Sequence, residues 1–127
     1  MAEIKIYNVD ALGKPVGPYS HVARVKGGET LYIAGMLAPG ESFDAQCAAV
    51  YAQIEKALQS AGGSWKNVVQ FTTFLVHSQD TAKFYRWRER EYPKMFPDGK
   101  YPPNTLLIID RLVQEQFLIE IQTVAAL

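Results

Sequence analysis

Glu120 lies in an alternating stretch, FLIEIQTVA, at residues 117–125. Successive side chains of an extended strand point to opposite faces, so Ile119 and Ile121 share one face and Glu120 lies on the other. Two interpretations stay open for this acid. It is either a solvated glutamate on an outward sheet face or a general base, since partial desolvation at a subunit contact makes a carboxylate more basic.

Two other polar residues stand at positions where chemistry is possible. Asn104, in YPPNTLLIID, follows two prolines that favour an extended backbone, and it precedes an apolar run. Its side-chain amide can donate and accept hydrogen bonds at once. Tyr19, in GPYSH, either places a phenol over the Glu120 face or is an ordinary loop aromatic that packs on the sheet.

Other residue types with catalytic potential point away from metal and nucleophile chemistry. His21 and His77 are far apart and have no further ligands at metal-binding spacing, so no metal site is predicted. Cys47 lies on the apolar stripe of a predicted helix, where a small buried hydrophobe is expected rather than a nucleophile. The pair Gly27-Gly28 joins two predicted strands, which is the wrong context for a phosphate-binding loop.

Bulk properties restrict the class of protein further. A length of 127 residues fits one domain, residues 1–127. Thirteen Lys plus Arg balance thirteen Asp plus Glu, so the chain has no excess positive charge for nucleic acid. The single cysteine suits a reducing compartment. No segment approaches the roughly 18 apolar residues that span a bilayer, and we expect a cytoplasmic protein without a membrane partner.

Hydrophobic periodicity predicts the order β-β-β-α-β-α-β-β. Ser42 can cap the first helix, and Gly62-Gly63 can end it. Pro93 is expected to end the second helix, whose charged run RWRERE is expected to be largely solvated. A Gly-Gly pair between strands indicates a hairpin. The predicted strands cover residues 4–7, 21–26, 30–34, 68–76, 105–112 and 117–125, and the helices cover 42–61 and 80–92.

The predicted strand at 105–112 is apolar on both sides, with Leu107 and Ile109 on one and Leu106 and Ile108 on the other. Two helices can cover only one face of one sheet. The other face would leave a large apolar patch in water unless a neighbouring subunit covers it. The pattern therefore predicts a homo-oligomer.

Several stretches together resemble the reactive-intermediate deaminase family, also called Rid or YjgF. They are GPYSH, LYIAGMLA, the first helix with AGGSWKNVVQFTTFLV after it, and the C-terminal region from Tyr101 to FLIEIQTVAAL. The resemblance implies a chorismate-mutase-like α+β fold, with a six-stranded mixed sheet backed by two helices on one face. It also implies a homotrimer with a small-molecule ligand in each intersubunit cleft. The implied activity is hydrolysis of enamines and imines to a carbonyl compound and ammonia, without a metal or organic cofactor.

The resemblance also assigns roles to particular residues. Glu120 matches the glutamate that orients water, Tyr19 a loop tyrosine, Gly35 the backbone at the cleft, and Thr105 a hydroxyl beside the substrate anchor. Asn104 stands where deaminase members have the arginine that holds the substrate carboxylate. A substrate other than a simple 2-imino acid is therefore expected. The alternative is a non-catalytic trimer of the same fold that binds a small metabolite.

Overall fold

A computed structural model describes residues 1–127. The chain forms an α+β fold with six strands, two α-helices and two single-turn 3₁₀ helices, in the predicted order of strands and α-helices. No helix is both long enough and apolar enough to cross a bilayer. The strands are β1 Glu3–Tyr7, β2 Val22–Lys26, β3 Thr30–Met36, β4 Val68–Leu75, β5 Asn104–Ile108 and β6 Ile119–Ala126; the α-helices are α1 Phe43–Ser60 and α2 Asp80–Met95.

The six strands form two hydrogen-bonded sheets rather than the single six-stranded sheet that the resemblance implies. Strands β3-β6-β4-β5 make a mixed four-stranded sheet, in which only β4 and β5 are parallel. Strands β1 and β2 pair antiparallel in a separate two-stranded sheet. Each of β2 and β3 has a longer-range partner, so the two strands belong to different sheets.

The predicted hairpin at Gly27-Gly28 is consequently wrong. Both glycines have positive φ, of 70° and 77°, and they carry the chain from one sheet to the other. Immediately after them, Glu29 and Leu127 exchange two backbone hydrogen bonds of 2.9 Å. The third strand therefore starts against the end of β6 instead of folding back on β2.

Helix α1 forms as its sequence predicts. The Ser42 hydroxyl accepts a hydrogen bond from the Ala45 amide at 3.1 Å, which satisfies one of the free donors of the first turn. Gly62, at φ 80°, closes the other end. The helix packs on β3 and β6. Its core-facing residues are Phe43, Cys47, Val50, Tyr51, Ile54 and Leu58.

Helix α2 continues past Pro93 to Met95, three residues beyond the predicted end. Pro93 is exposed, while the preceding Tyr92 is 1% exposed and holds this turn against the core. The Phe96 amide donates to the Tyr92 carbonyl at 2.7 Å and closes the helix. One charge of RWRERE also departs from the prediction, because Arg88 is buried with its guanidinium 4.2 Å from the centre of the Phe84 ring.

The last two strands are shorter at their facing ends than predicted. β5 stops at Ile108, and β6 starts at Ile119. The Arg111 side chain donates to the backbone carbonyls of Leu112 and Val113, at 3.0 and 3.1 Å, and thereby stabilises a turn in place of further strand.

Candidate functional site

The alternation of β6 places Glu120 on the face of the four-stranded sheet that carries no helix. Ile119 and Ile121 are fully buried on the helix side of the strand, as predicted. Glu120 is half-buried and Gln122 is exposed on the opposite side. The acid therefore lies on an open sheet surface, with its backbone paired to Phe74 of β4. We call the side of the sheet without helices the open face.

A β-bulge in β3 brings the chain close to this carboxylate. Ile33 pairs with Thr123, whereas Met36 pairs with Ile121, so β3 uses one more residue than β6 over this interval. Bulges redirect backbone and side chains and are frequent beside active sites. Gly35 lies within the extra segment.

The Glu120 side chain lies directly against the Gly35 backbone. A Cβ atom at Gly35 would overlap the carboxylate oxygen Oε2 and would come 2.7 Å from Cδ and 2.9 Å from Cγ of Glu120. Such distances are shorter than van der Waals contact, so a larger residue at position 35 would displace the Glu120 side chain from its present position. The structure thus brings together two of the predicted site residues, Gly35 and Glu120.

The rest of the open face combines polar and apolar side chains. Phe74 of β4 lies opposite Glu120, and Thr72 lies opposite Gln122. Thr105 of β5 pairs with Thr72, so its hydroxyl shares the open face with Glu120, two strands away. A ligand on this surface would meet hydroxyl groups and a carboxylate beside an aromatic ring.

Asn104 lies on the opposite face of the sheet from Glu120. It pairs in register with Phe71, which is buried on the helix side. Its carbonyl Oδ1 accepts a hydrogen bond of 2.8 Å from the hydroxyl of Thr73, a fully buried residue. Within one chain, therefore, the sheet separates Asn104 from Glu120.

Tyr19 is located in the loop before β2, on the side of helix α2. A Cβ at Gly17 would lie 3.8 Å from the Tyr19 ring and 3.5 Å from the ring of Tyr85 on α2. Tyr19 is half-buried, and its hydroxyl forms no hydrogen bond in the chain. The loop behind it is fixed, because His21 Nδ1 accepts from the Val9 amide at 3.0 Å.

The side chains that could have suggested other chemistry do not form a centre. No three His, Cys, Asp or Glu side chains converge as a metal site would require. Cys47 is completely buried, as predicted, and burial together with the nearby carboxylates of Asp44 and Asp80 raises the pKa of its thiol. A thiol of this kind is a poor nucleophile near neutral pH.

Three residues of interest were missed at the level of sequence. Tyr32 is 82% exposed on the open face beside Val124, and its alternation with Leu31 and Ile33 was a usable signal. Thr73 gave no signal, because its role depends on the register of β4 against β5. The burial of Arg88 could not be predicted, because this residue lies in a run of charged residues that are otherwise exposed or half-buried.

Comparison with known proteins agrees with this fold over nearly the whole chain. The family model described as Endoribonuclease L-PSP matches residues 10–127. A RutC family protein of Synechocystis sp. is 30% identical over 133 residues, which cover 98% of this chain and 97% of that protein.

Solved structures show the same similarity. The Rid-family protein YyfB from Yersinia pestis superposes with a TM-score of 0.84 at 25% identity, with 98% of each chain covered. RidA from the Antarctic bacterium Psychrobacter sp. gives 0.68 at 26% identity, with 97% of this chain and 99% of that chain covered. The extent of these matches and the shared fold establish that the chain belongs to the Rid/YjgF family.

Proposed function

We propose that this protein hydrolyses a neutral imine or enamine to a carbonyl compound and ammonia, with Glu120 orienting the attacking water. The observation that carries the proposal is the contact between the Glu120 carboxylate and the Gly35 backbone at the β3 bulge. This contact places an acid beside the β3 bulge, on a surface that also offers hydroxyl groups and an aromatic ring. General acid–base groups require this kind of fixed position.

The reaction needs only water and a group that transfers protons. Glu120 accepts a proton from water as the water oxygen bonds to the imine carbon, and the nitrogen takes up the π electrons and a proton. The hydroxyl group of the resulting carbinolamine then gives up its proton and the nitrogen takes one up, so that the C=O bond forms as the C–N bond breaks and ammonia leaves. An enamine is first protonated on carbon and then follows the same course.

The preference for a neutral substrate rests on Asn104. An arginine fork forms charge-assisted hydrogen bonds to a carboxylate, each contributing about 1.5–3 kcal/mol against about 1 kcal/mol for neutral ones. Asn104 has no charge, and its Oδ1 is already engaged by Thr73. Only its NH₂ group remains free. That group can donate to a carbonyl or hydroxyl oxygen, but it cannot supply the charge and the paired donors of a guanidinium.

The site is proposed to be completed between subunits of a homotrimer. Asn104 and Glu120 lie on opposite faces of one chain, so a single ligand can meet both only when neighbouring subunits contribute one each. Tyr32 and Leu107, exposed at 82% and 39%, give the open face an apolar surface for such a neighbour. Thr105 shares that face, and Tyr19 has a free hydroxyl to offer.

Exchange of Glu120 tests the mechanism. An amine oxidase would generate imines without a carboxylate, an amino-acid oxidase would generate 2-imino acids, and semicarbazone trapping would follow the loss of each. We expect the parent protein to accelerate hydrolysis of the neutral imines preferentially. Glu120→Gln should lower that acceleration by about 10²–10⁴-fold, the usual contribution of acid–base catalysis. Glu55→Gln, an exposed change on α1, serves as the control.

Two outcomes would reject the mechanism. Equal activity of Glu120→Gln and the parent would remove Glu120 from catalysis. Binding of amides or carboxylates without turnover of either imine class would favour the second candidate, a non-catalytic metabolite-binding trimer. This second candidate is retained because Oδ1 of Asn104 already accepts a hydrogen bond from Thr73. The balance of thirteen basic and thirteen acidic residues does not favour RNA, despite the description of the family model.

A further inference from the structure

A separate cavity of about 280 Å³ lies between β1 and the C-terminal end of α2. Its apolar walls include Ile4 and Ile6 of β1, Trp65 from the second 3₁₀ helix, and Met95 from α2. We call it the Trp65 cavity. It shares no lining residue with the Glu120 face. Its volume is slightly below the roughly 300–1,000 Å³ typical of small-molecule sites, which suits a ligand of about one ring.

The walls of the Trp65 cavity are held in place before any ligand binds. The Trp65 ring lies 6.0 Å from the ring centre of Tyr51 and 6.1 Å from that of Phe96. The Ser64 amide donates to Oδ1 of Asn67 and the Asn67 amide donates to the Ser64 carbonyl, both at 2.9 Å, around this short helix. Ile4 and Ile6 are both half-buried on one side of β1. A site with fixed walls loses little entropy on binding.

Two lysines give the cavity its charge. Lys66 and Lys100 line it, and neither ammonium group takes part in an ion pair or a side-chain hydrogen bond of the chain. Asp98 is the one acid in the lining, and its Oδ1 accepts from the Lys100 backbone amide at 2.9 Å. The cavity therefore has an excess of one positive charge beside an apolar wall.

We propose that the Trp65 cavity binds a small carboxylate with an aryl or branched aliphatic body. The apolar part would lie against Trp65 and the two isoleucines, and the carboxylate would be held by Lys66 and Lys100. Both features are needed, because the apolar walls favour many ligands whereas the ammonium groups favour an anion. The proposal concerns a second site and does not depend on catalysis at Glu120.

Calorimetric titration with phenylacetate tests this proposal, with 2-phenylacetamide as the uncharged analogue. We expect saturable binding of phenylacetate at millimolar concentrations and clearly weaker binding of the amide. The double variant Lys66→Gln/Lys100→Gln should lower the affinity for phenylacetate about tenfold, a moderate loss because both lysines are exposed. Lys14→Gln/Lys56→Gln removes the same charge from exposed lysines outside the cavity and should keep the parent affinity.

Filling the apolar part of the Trp65 cavity provides an independent test of the proposal. Ile6→Trp, which fills the cavity from β1, should abolish binding, and thermal unfolding will show that the variant is folded. Glu120→Gln should bind phenylacetate as the parent does, which separates this site from the proposed active site. Absence of binding to the parent, unchanged affinity in Lys66→Gln/Lys100→Gln, or loss of binding in Glu120→Gln would each overturn the proposal.

Discussion

The hydroxyl groups of Tyr51 and Tyr92 form a hydrogen bond of 2.8 Å inside the core. The two residues are 3% and 1% exposed, and the Tyr51 ring also stacks on Trp87 at 4.6 Å. Burial raises the pKa of both phenols, and that of Tyr92 reaches about 12. Ionisation would leave a negative charge away from water, so both groups stay protonated in the folded protein under conditions that ionise an exposed tyrosine.

This pair predicts a specific loss of stability at alkaline pH. An unfolded tyrosine releases its proton near pH 10, whereas folded Tyr92 keeps its proton until about pH 12. Between these values the folded state binds more protons, so the free energy of unfolding falls as pH rises. The slope should reach about 1.4 kcal/mol per pH unit for each such tyrosine. Urea unfolding at a series of pH values measures it.

The double variant Tyr51→Phe/Tyr92→Phe is the matched control for that slope. It should remain folded near neutral pH, because both rings are kept and no hydroxyl is left buried alone. Its stability should depend less on pH above 10 than that of the parent. Parallel pH profiles of the two proteins would show that these phenols do not determine the alkaline loss.

At the scale of the elements, Gly28 controls how the two sheets join. Its φ is 77°, and a Cβ there would overlap the Leu127 carbonyl and come 2.6 Å from the Ala2 amide nitrogen. Gly13 has nearly the same φ, 75°, but a Cβ there would meet no atom within 4 Å. A comparison of substitutions at Gly13 and Gly28 therefore distinguishes the cost of backbone strain from the cost of steric overlap.

Alanine substitution at these two positions should have unequal effects. Gly13→Ala is expected to cost about 1–3 kcal/mol of stability, since its φ of 75° and ψ of −169° lie in a backbone region that is essentially restricted to glycine. Gly28→Ala should cost about 3 kcal/mol or more, because the overlap with main-chain atoms adds to that strain. Denaturant unfolding measures both. Equal losses would mean that the sheet junction relaxes around the new methyl group.

The elements also show how far sequence alone was informative. The stripe of α1 and the alternation of β6 are local patterns with a single solution, and both predictions are confirmed. The Gly27-Gly28 hairpin failed because the partners of β2 and β3 are distant in sequence. The predicted end of α2 at Pro93 was wrong because the buried Tyr92 holds the last helical turn against the core despite the proline.

The candidate site divides in the same way. Glu120 could be assigned to a face from alternation alone. The environment of Asn104 could not be predicted from the sequence. The strand is expected to start at residue 105, whereas Asn104 is its first residue, and the face on which Asn104 lies depends on the register of β5 against β4. The proximity of Gly35 to Glu120 depends on the bulge in β3, which no local sequence pattern predicts.

At the scale of the whole molecule, the four-stranded sheet has one face packed against helices and one open face. The open face presents Tyr32 and, on the edge strand, Leu107, both substantially exposed. Burial of apolar surface contributes roughly 25 cal/mol per Å². A self-association that covers these side chains is therefore the expected state of the protein in solution.

Sedimentation equilibrium should give a particle of three chains for the parent protein. Tyr32→Asp/Leu107→Asp should shift it to single chains, because two carboxylates would have to be desolvated in the contact. Val113→Asp, at a residue that is 70% exposed outside the sheets, should leave assembly unchanged. Imine hydrolysis should disappear together with the trimer. A monomeric parent, or a trimer that tolerates both aspartates, would contradict the proposed cleft.

The position of β5 at the edge of its sheet affects how readily newly made chains aggregate. Its outer backbone edge is unpaired within the chain, and Leu107 and Ile108 are 39% and 45% exposed. Free apolar edges of this kind template pairing between strands of different molecules. Newly made chains are thus prone to aggregate while this edge is uncovered. Slow synthesis, which keeps free chains scarce, should then favour soluble protein over inclusion bodies.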